Sequence, residues 1–269
     1  MIKQQALVRT SLVLVEPQDD INIGTVVRAG RNFGIESLRL VRPASAAADK
    51  IAISAPRCGE LIDQIEYYET VDEAVGDCVL TLGMTARRRA ASWRVLQPRQ
   101  AAREALRVSG RDKGRIGVIF GREDRGLSND VLDRCHAIVT VPTNPEYSSL
   151  NLGQAVTVMA WELSRAAQQI DTEDVALADV EPHTEFEPAA MAGLQRMFEQ
   201  CEDALEAVEF FKAETSDHIM RSIRSVFLRA NLDTRELAIW HGIFKEVVAY
   251  LERTEGSTGE EGTQSSMKQ

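Results

Sequence analysis

Strand-like runs alternate with helical patterns over residues 11–170, and this alternation limits the possible folds more than any other feature of the chain. Each run consists mainly of β-branched and aliphatic residues, which is typical of a buried strand. Strands that alternate with helices predict a parallel sheet in an α/β domain. The predicted strands are SLVLV (11–15), SLRLV (37–41), CVLTL (78–82), IGVIF (116–120) and AIVTV (137–141).

Helical patterns fill the intervals between these strands and continue beyond them. The first pattern has Asp20 available as its N-cap and Gly34 as its C-terminal stop. The patterns of the α/β region cover residues 22–34, 71–77, 98–108, 128–135 and 151–170. Further patterns, near 189–212, 216–230 and 233–252, have no strand between them.

Composition divides the chain into parts. The acidic stretch 171–188 contains two prolines and predicts a linker. The last residues are rich in Gly, Ser and Thr, which predicts disorder. We therefore expect an α/β domain over 1–170, a linker over 171–188, a small all-α domain over 189–252 and a disordered tail over 253–269.

The charge of the chain is distributed unevenly. The formal net charge is −10, which by itself argues against a nucleic-acid partner. Residues 85–115, however, hold ten basic residues against two acidic ones, whereas 171–214 are strongly acidic. Local charge decides where a phosphate binds. The triplet Arg87, Arg88 and Arg89 therefore predicts a polyanion site, and a solvated loop is the alternative.

Two other classes of protein find no support in the sequence. No run of about 18 uncharged apolar residues is present, so we expect no membrane span. The cysteines, Cys58, Cys78, Cys135 and Cys201, are too far apart in sequence for a zinc knuckle and have no histidine pair beside them. We expect no metal, and reduced thiols in a cytoplasmic protein.

The first motif is FGREDRGLSN (120–129), which follows a predicted strand. Gly121 and Gly126 have the spacing of a phosphate-binding P-loop, but Leu127 stands where that loop needs Lys. A tight turn before a helix capped by Ser128 is the simpler interpretation. An ordinary dinucleotide site is also excluded, because no GxGxxG follows the first strand.

Two further motifs combine polar residues with helix starts. In the first helix, Gly24, Arg28 and Asn32 share one stripe and Asn22 precedes them. A ligand-binding surface and an ordinary solvent-facing stripe are both compatible with that spacing. VPTNPEYSSLNLGQA (141–155) leads into the long helix, where Asn151 and Gln154 resemble a capping box. The free N–H groups of that helix terminus would also suit a ligand carboxylate.

In this order the three motifs resemble those of the SPOUT superfamily, in its TrmH-like branch. The string TNPEYSSLNLGQAV, with SIRSVFLRA and LDTRELAIWHGI further on, resembles the TrmJ group of tRNA (cytidine/uridine) 2'-O-methyltransferases. The likeness covers roughly residues 8–252. It implies an α/β domain with a C-terminal trefoil knot, a helical tRNA-binding extension, a homodimer without metal, S-adenosyl-L-methionine as cofactor and nucleotide 32 of tRNA as target.

The resemblance also implies roles for individual residues. Because a guanidinium stays protonated, we expect Arg28 to stabilise the developing alkoxide and not to act as a base. The residues implied around it are Asn22, Glu123, Ser149 and Asn151. Those implied to bind cofactor are Met84, Thr85, Ala86, Gly121, Glu123, Val141, Ser148, Ser149 and Leu150. Those expected to bind RNA are Arg87, Arg88, Arg89, Arg221, Arg224 and Arg229.

Three other functions compete with this interpretation. The same fold serves ribosomal RNA 2'-O-methyltransferases, but those related enzymes more often carry an N-terminal RNA-binding domain. A knotted RNA-binding protein without turnover is the second alternative, and the complete polar set around Arg28 argues against it. A generic α/β protein with a helical interaction domain would leave the three motifs unexplained.

Overall fold

The computed structural model describes residues 7–86, 93–111, 114–169, 186–211 and 216–264. Within these residues a seven-stranded sheet has the order β3-β2-β1-β6-β4-β7-β5, and every pair of neighbouring strands is parallel. This confirms the predicted parallel α/β sheet. The strands are β1 (Thr10–Val15), β2 (Ser37–Val41), β3 (Glu66–Tyr68), β4 (Cys78–Met84), β5 (Val95–Leu96), β6 (Arg115–Phe120) and β7 (Ala137–Val139).

The order of strands β4, β7 and β5 matters for the site. β7 lies between β4 and β5, although it follows both of them along the chain. Leu82 to Met84 of β4 pair with one side of β7, and the two residues of β5 pair with the other. β7 therefore lies between β4 and β5, two strands that are joined in sequence by residues 85–94.

One face of the sheet is covered by helices of the α/β region. α1 (Asp20–Phe33), α5 (Pro98–Arg111) and α7 (Leu152–Gln169) pack there around a core that includes Leu12, Ile23, Phe120 and Leu163. α2 (Ala48–Ser54) packs on α1. The helices are α1 (Asp20–Phe33), α2 (Ala48–Ser54), α3 (Gly59–Asp63), α4 (Val71–Val75), α5 (Pro98–Arg111), α6 (Asn129–Leu132) and α7 (Leu152–Gln169), with a 3₁₀ turn at Pro145–Tyr147.

The ends of α1 differ in one respect from the prediction. Asp19, and not Asp20, is the N-cap, and its carboxylate accepts a hydrogen bond from the Ile21 amide at 2.8 Å. Asp20 is instead buried and binds Ser45 Oγ at 2.9 Å. Gly34 closes the helix at a φ of 79°, as predicted for a left-handed stop.

The other face of the sheet is covered by α8 (Met191–Ala207). Met191, Leu194 and Phe198 of this helix belong to one buried cluster with Val13 of β1 and Ile119 of β6. The helical region beyond the predicted linker therefore shares a core with the sheet. The predicted boundary near residue 170 separates two kinds of secondary structure, but the buried core includes residues from both sides of it.

Two more helices, α9 (Ser216–Ala230) and α10 (Thr234–Gln264), follow. The predicted bounds of α9 are confirmed, whereas α8 ends before residue 212. α10 continues to Gln264, so a helix extends into the part of the chain beyond residue 253 for which we predict disorder. A helix that has already begun gains one hydrogen bond per added residue without a new nucleus. Most of the predicted linker lies outside the described residues. None of the described helices is long and apolar enough to cross a membrane.

Candidate functional site

A pocket opens at the carboxyl ends of β4, β6 and β7. It holds about 790 Å³ of empty space, including the part open to solvent. All nine residues that the sequence assigned to the cofactor lie along it. The lining consists of Met84, Thr85, Ala86, Phe120, Gly121, Arg122, Glu123, Asp124, Arg125, Gly126, Val139, Val141, Ser148, Ser149, Leu150, Leu152 and Ala155.

The two glycines of the first motif form the turn at the floor of this pocket. A Cβ on Gly121 would lie 2.2 Å from the carbonyl carbon of Gly126, so only glycine allows the chain to return this closely. Gly126 has a φ of 66°, and its amide donates to the Arg122 carbonyl at 2.8 Å. The expected tight turn is thus present, and Ser128 caps α6 behind it.

Ion pairs fix the charged residues of this turn. Arg122 donates to both oxygens of Asp124, at 2.9 and 3.1 Å, and reaches Glu16 at 3.4 Å. The hydrogen bond from Arg122 holds the pKa of the Asp124 carboxyl below its usual value. The Asp124 carboxyl therefore stays ionised where it lines the pocket.

A hydrogen-bonded network connects the three motifs at the edge of the pocket. Asn22 Nδ2 donates to Glu123 Oε1 at 3.1 Å, and the Gln18 amide donates to Glu123 Oε2 at 3.0 Å. Asn151 Nδ2 donates to Asn22 Oδ1 at 3.3 Å. The start of α1, the turn after β6 and the start of α7 are thereby held together by Glu123, Asn22 and Asn151.

Asn151 and Gln154 cap the start of α7 as predicted, except that Asn151 binds the second amide of the helix and not the third. Asn151 Oδ1 accepts from the Gly153 amide at 2.9 Å, and Gln154 Oε1 accepts from the Asn151 amide at 3.2 Å. A Cβ on Gly153 would come within 2.4 Å of Thr25 Cγ2, so this glycine lets α7 approach α1. The close approach explains how Asn22 and Asn151, far apart in sequence, come within hydrogen-bonding distance.

Gly24, Arg28 and Asn32, the stripe predicted on α1, do not form one continuous exposed surface, because Gly24 is buried. A Cβ on Gly24 would lie 2.2 Å from the Ile51 carbonyl oxygen, so this position serves the packing of α2 and not the approach of a ligand. Arg28 is exposed and is not part of the pocket lining. Within a single chain the structure does not bring Arg28 to the pocket.

The residues predicted to bind RNA differ in their surroundings. Arg87, Arg88 and Arg89 lie outside the described residues. Arg221 donates to the buried carboxylate of Asp133 at 2.7 Å, so its guanidinium has a structural partner within the fold. Arg224 stacks over the Phe198 ring, with its guanidinium carbon 5.8 Å from the ring centroid. Arg229 is exposed.

Sequence reasoning missed several pocket residues. Phe120 and Val139 end β6 and β7, and their position before the motifs is a signal that could have identified them. Arg122, Asp124 and Arg125 lie inside the motif FGREDRGLSN (120–129), but the motif alone predicts no role for them. The backbone amide of Gln18 has no sequence signal, because any residue supplies an N–H there.

A pocket at the carboxyl ends of adjacent parallel strands defines an α/β protein that binds a small ligand. Residues 9–161 match the SpoU rRNA Methylase family, and residues 192–258 match the C-terminal domain of tRNA methyltransferase TrmJ. The chain therefore belongs to the SpoU methylase family and, within it, to the TrmJ group, which confirms the family predicted from the motifs.

Individual relatives are similar over nearly the whole chain. The tRNA (cytidine/uridine-2'-O-)-methyltransferase TrmJ of Yersinia pestis (strain Pestoides F) is 34% identical over 237 residues, which cover 88% of this chain and 90% of the relative. The protein of the same name from Klebsiella pneumoniae is 33% identical over 236 residues, 88% and 95% of the two chains. The crystal structure of TrmJ from Z. mobilis ZM4 superposes with a TM-score of 0.74 at 30% identity, over 88% and 98%.

Proposed function

We propose that this protein uses S-adenosyl-L-methionine to methylate the ribose 2'-hydroxyl of nucleotide 32, C or U or both, in the anticodon loop of tRNA. The observation that carries the proposal is the network of Glu123, Asn22 and Asn151 beside the pocket, in a chain of the TrmJ group. The names of the curated relatives support the tRNA substrate and the 2'-O position. A loop nucleotide is accessible, because its ribose can be turned outward.

The pocket suits the chemistry of this cofactor. The partly exposed Val141 and Leu150 offer apolar surface for a flat base, and the pocket acids Glu123 and Asp124 suit a cation. We propose that Met84, Thr85, Ala86, Gly121, Ser148, Ser149 and Leu150 hold it as well. When bound, the cofactor supplies a methyl group on a positively charged sulfur, and no metal is required for that transfer.

The residues of the chain then have to orient a very weak acid, the ribose hydroxyl. Asn22 holds Glu123 in position and is itself held by Asn151, so the network presents fixed polar groups at the pocket edge. Correct orientation of the two reactants contributes several kcal/mol to such a reaction. Ser149 supplies a hydroxyl on the same wall.

Arg28 is proposed to stabilise the negative charge that develops on the 2'-oxygen. A guanidinium does not act as a base at neutral pH, but it binds phosphate and alkoxide oxygens strongly. Because Arg28 is exposed outside the pocket of its own chain, this role requires RNA that lies between Arg28 and a pocket. A homodimer with RNA at the subunit junction would meet that requirement, and we propose that assembly.

We also propose that the α/β domain contains a trefoil knot. The order of the strands supports it, because β7 lies between β4 and β5 although it follows both of them along the chain. The resemblance to the SPOUT superfamily implies the same topology. The four cysteines are buried and unpaired, which fits the reducing cytoplasm in which we place the enzyme.

Methylation of ribosomal RNA is a second candidate, favoured by the description of the family that residues 9–161 match. The match of residues 192–258 to a TrmJ domain favours tRNA. The test is methylation of purified tRNA and of rRNA fragments, read by mass spectrometry of nuclease fragments. We expect one methyl group on nucleotide 32, unaffected by EDTA and abolished by a 2'-deoxy residue there. Product on rRNA alone, or inactivation by EDTA, would refute the proposal.

A further inference from the structure

α5 presents a row of arginines on its outer face. Arg99, Arg103 and Arg107 follow one another at intervals of four residues, so they lie one above the other on the helix. All three are exposed, whereas Ala101, Ala102, Ala105 and Leu106 on the opposite side are buried in the core. We call Arg99, Arg103 and Arg107 the arginine stripe.

Acidic residues do not neutralise this stripe within the described part of the chain. Glu104, the acidic residue described on α5, turns away and binds Arg94 through both oxygens, at 2.6 and 2.7 Å. No salt bridge between Arg99, Arg103 or Arg107 and another described residue is present. Like charges four residues apart destabilise a helix, so stability alone gives no reason for the stripe.

The stripe begins beside the proposed active site. α5 starts at Pro98, directly after β5, and Leu96 of β5 pairs with the pocket residue Val139. A groove runs between β5 and the segment after β7, lined by Val95, Leu96, Gln97, Gln100, Thr140 and Pro142. Pro142 follows the pocket residue Val141, so pocket, groove and stripe are consecutive on one edge of the molecule.

We infer that the arginine stripe binds the sugar–phosphate backbone of RNA where the strand leaves the pocket through this groove. The inference rests on the proposed function and specifies which surface of the chain receives the flanking nucleotides. Guanidinium groups bind phosphate bidentately, and a row of them on a rigid helix suits a repeating polyanion. Gln97 and Gln100 in the groove offer amide groups to riboses or bases. In a protein with a net charge of −10, such a local surface directs where RNA docks.

The test compares two triple variants in tRNA binding at several salt concentrations. The first is Arg99→Gln, Arg103→Gln and Arg107→Gln, in which glutamine keeps the helix propensity and most of the stem. The matched control is Lys50→Gln, Arg57→Gln and Arg196→Gln, which removes the same charge at exposed positions of other elements. Titration with S-adenosyl-L-methionine checks that the pocket of each variant is intact.

Each lost phosphate contact should lower the slope of log K against log salt by about 0.7 for a single strand, so the stripe variant should lose about 2. Its tRNA dissociation constant at ~0.1 M salt should rise about tenfold or more, while cofactor affinity stays at the wild-type value. Arg103→Glu alone should weaken binding more than Arg103→Gln. A stripe variant that matches the control in slope and affinity would overturn the inference while leaving wild-type methylation as evidence for the function. A wild-type protein that neither binds nor methylates tRNA would refute both.

Discussion

Arg221 of α9 donates from Nε to Oδ2 of Asp133 at 2.7 Å, and this ion pair joins the helical region to the α/β region. The other carboxylate oxygen accepts from Trp93 Nε1 at 3.0 Å. The Asp133 side chain is only 6% exposed, so these two donors replace most of its contact with water. Arg221, which the sequence suggests for RNA binding, thus connects two parts of the fold.

Replacement of Arg221 by Met should therefore destabilise the protein. The change leaves the buried Asp133 carboxylate with Trp93 as its one described donor, and loss of one partner of such a pair costs about 3 kcal/mol. Urea unfolding of both proteins measures this difference. Arg229→Met, an exposed position on the same helix, is the control and should stay within about 0.5 kcal/mol of wild type. Wild-type stability combined with weak tRNA binding in Arg221→Met would restore the RNA role.

Arg28→Ala should lower the rate of methylation by about 10²-fold or more, because the proposed interaction forms only as the 2'-oxygen gains charge. Arg28→Lys should also be slow, since an ammonium lacks the planar fork of donors. Cofactor affinity and melting temperature should remain those of the wild type. Single-turnover methylation with saturating tRNA, beside calorimetric titration with cofactor, gives the measurement.

Arg31→Ala is the matched control for this experiment, because Arg31 is an exposed arginine on the same helix. It should keep the wild-type rate. A normal rate in Arg28→Ala would show that Arg28 belongs to an ordinary solvent-facing surface. A loss of cofactor binding would instead make it a structural residue.

Glu123→Gln should slow methylation about 10-fold to 10²-fold, since the new amide group cannot accept from both Asn22 and the Gln18 backbone. The network acts as one unit, so Asn22→Ala combined with Glu123→Ala should lose little beyond the worse single variant. Glu146→Gln, an exposed carboxylate on the 3₁₀ turn, serves as control. If the loss of activation free energy in the double variant equals the sum of the two single losses, Asn22 and Glu123 act independently.

His136 should make stability depend on pH. Burial lowers the pKa of this imidazole to about 4, and the Thr81 amide donates to its Nδ1 at 3.1 Å. In the unfolded chain the group takes up a proton below a pKa of about 6.5, whereas in the folded chain it does not until about 4. The free energy of unfolding should therefore fall as pH drops from about 6.5 to 4, by about 3 kcal/mol from this residue.

His136→Asn removes the titrating group and keeps an oxygen acceptor near the position of Nδ1. Carboxylates titrate in both proteins, so the difference between the two slopes of unfolding free energy against pH isolates His136. Urea unfolding at pH 7 and pH 4.5 is sufficient for this comparison. Equal slopes in wild type and variant would mean that the imidazole already gains a proton inside the fold.

Patterns local in sequence predicted much of the fold. The bounds of β2 and α9 follow from periodicity and capping, and Gly34 ends α1 as its residue type requires. The short strands β3 and β5 were not predicted, because two or three residues show no periodicity. Their extended conformation depends on pairing with the neighbouring strand.

The sequence predicts which motifs form the candidate site, but it does not predict how their side chains are arranged in space. The nine residues that the resemblance assigned to the cofactor all line the pocket, yet no spacing along the chain shows that Asn22, Glu123 and Asn151 form one network. The surroundings of Gly24 and Arg221 could not be predicted for the same reason. Each has a partner distant in sequence, the Ile51 carbonyl for Gly24 and the Asp133 carboxylate for Arg221, and residue type alone does not reveal such a partner.

The place of β7 in the sheet has a consequence for the order of folding. During synthesis β4 and β5 emerge before β7, but β7 has to lie between them. The space for β7 must therefore stay open until residues 137–139 have left the ribosome. Contacts that depend on distant segments form slowly. The pocket, which needs Val139, Val141 and Leu150 for its wall, is consequently among the last features of the α/β region to appear.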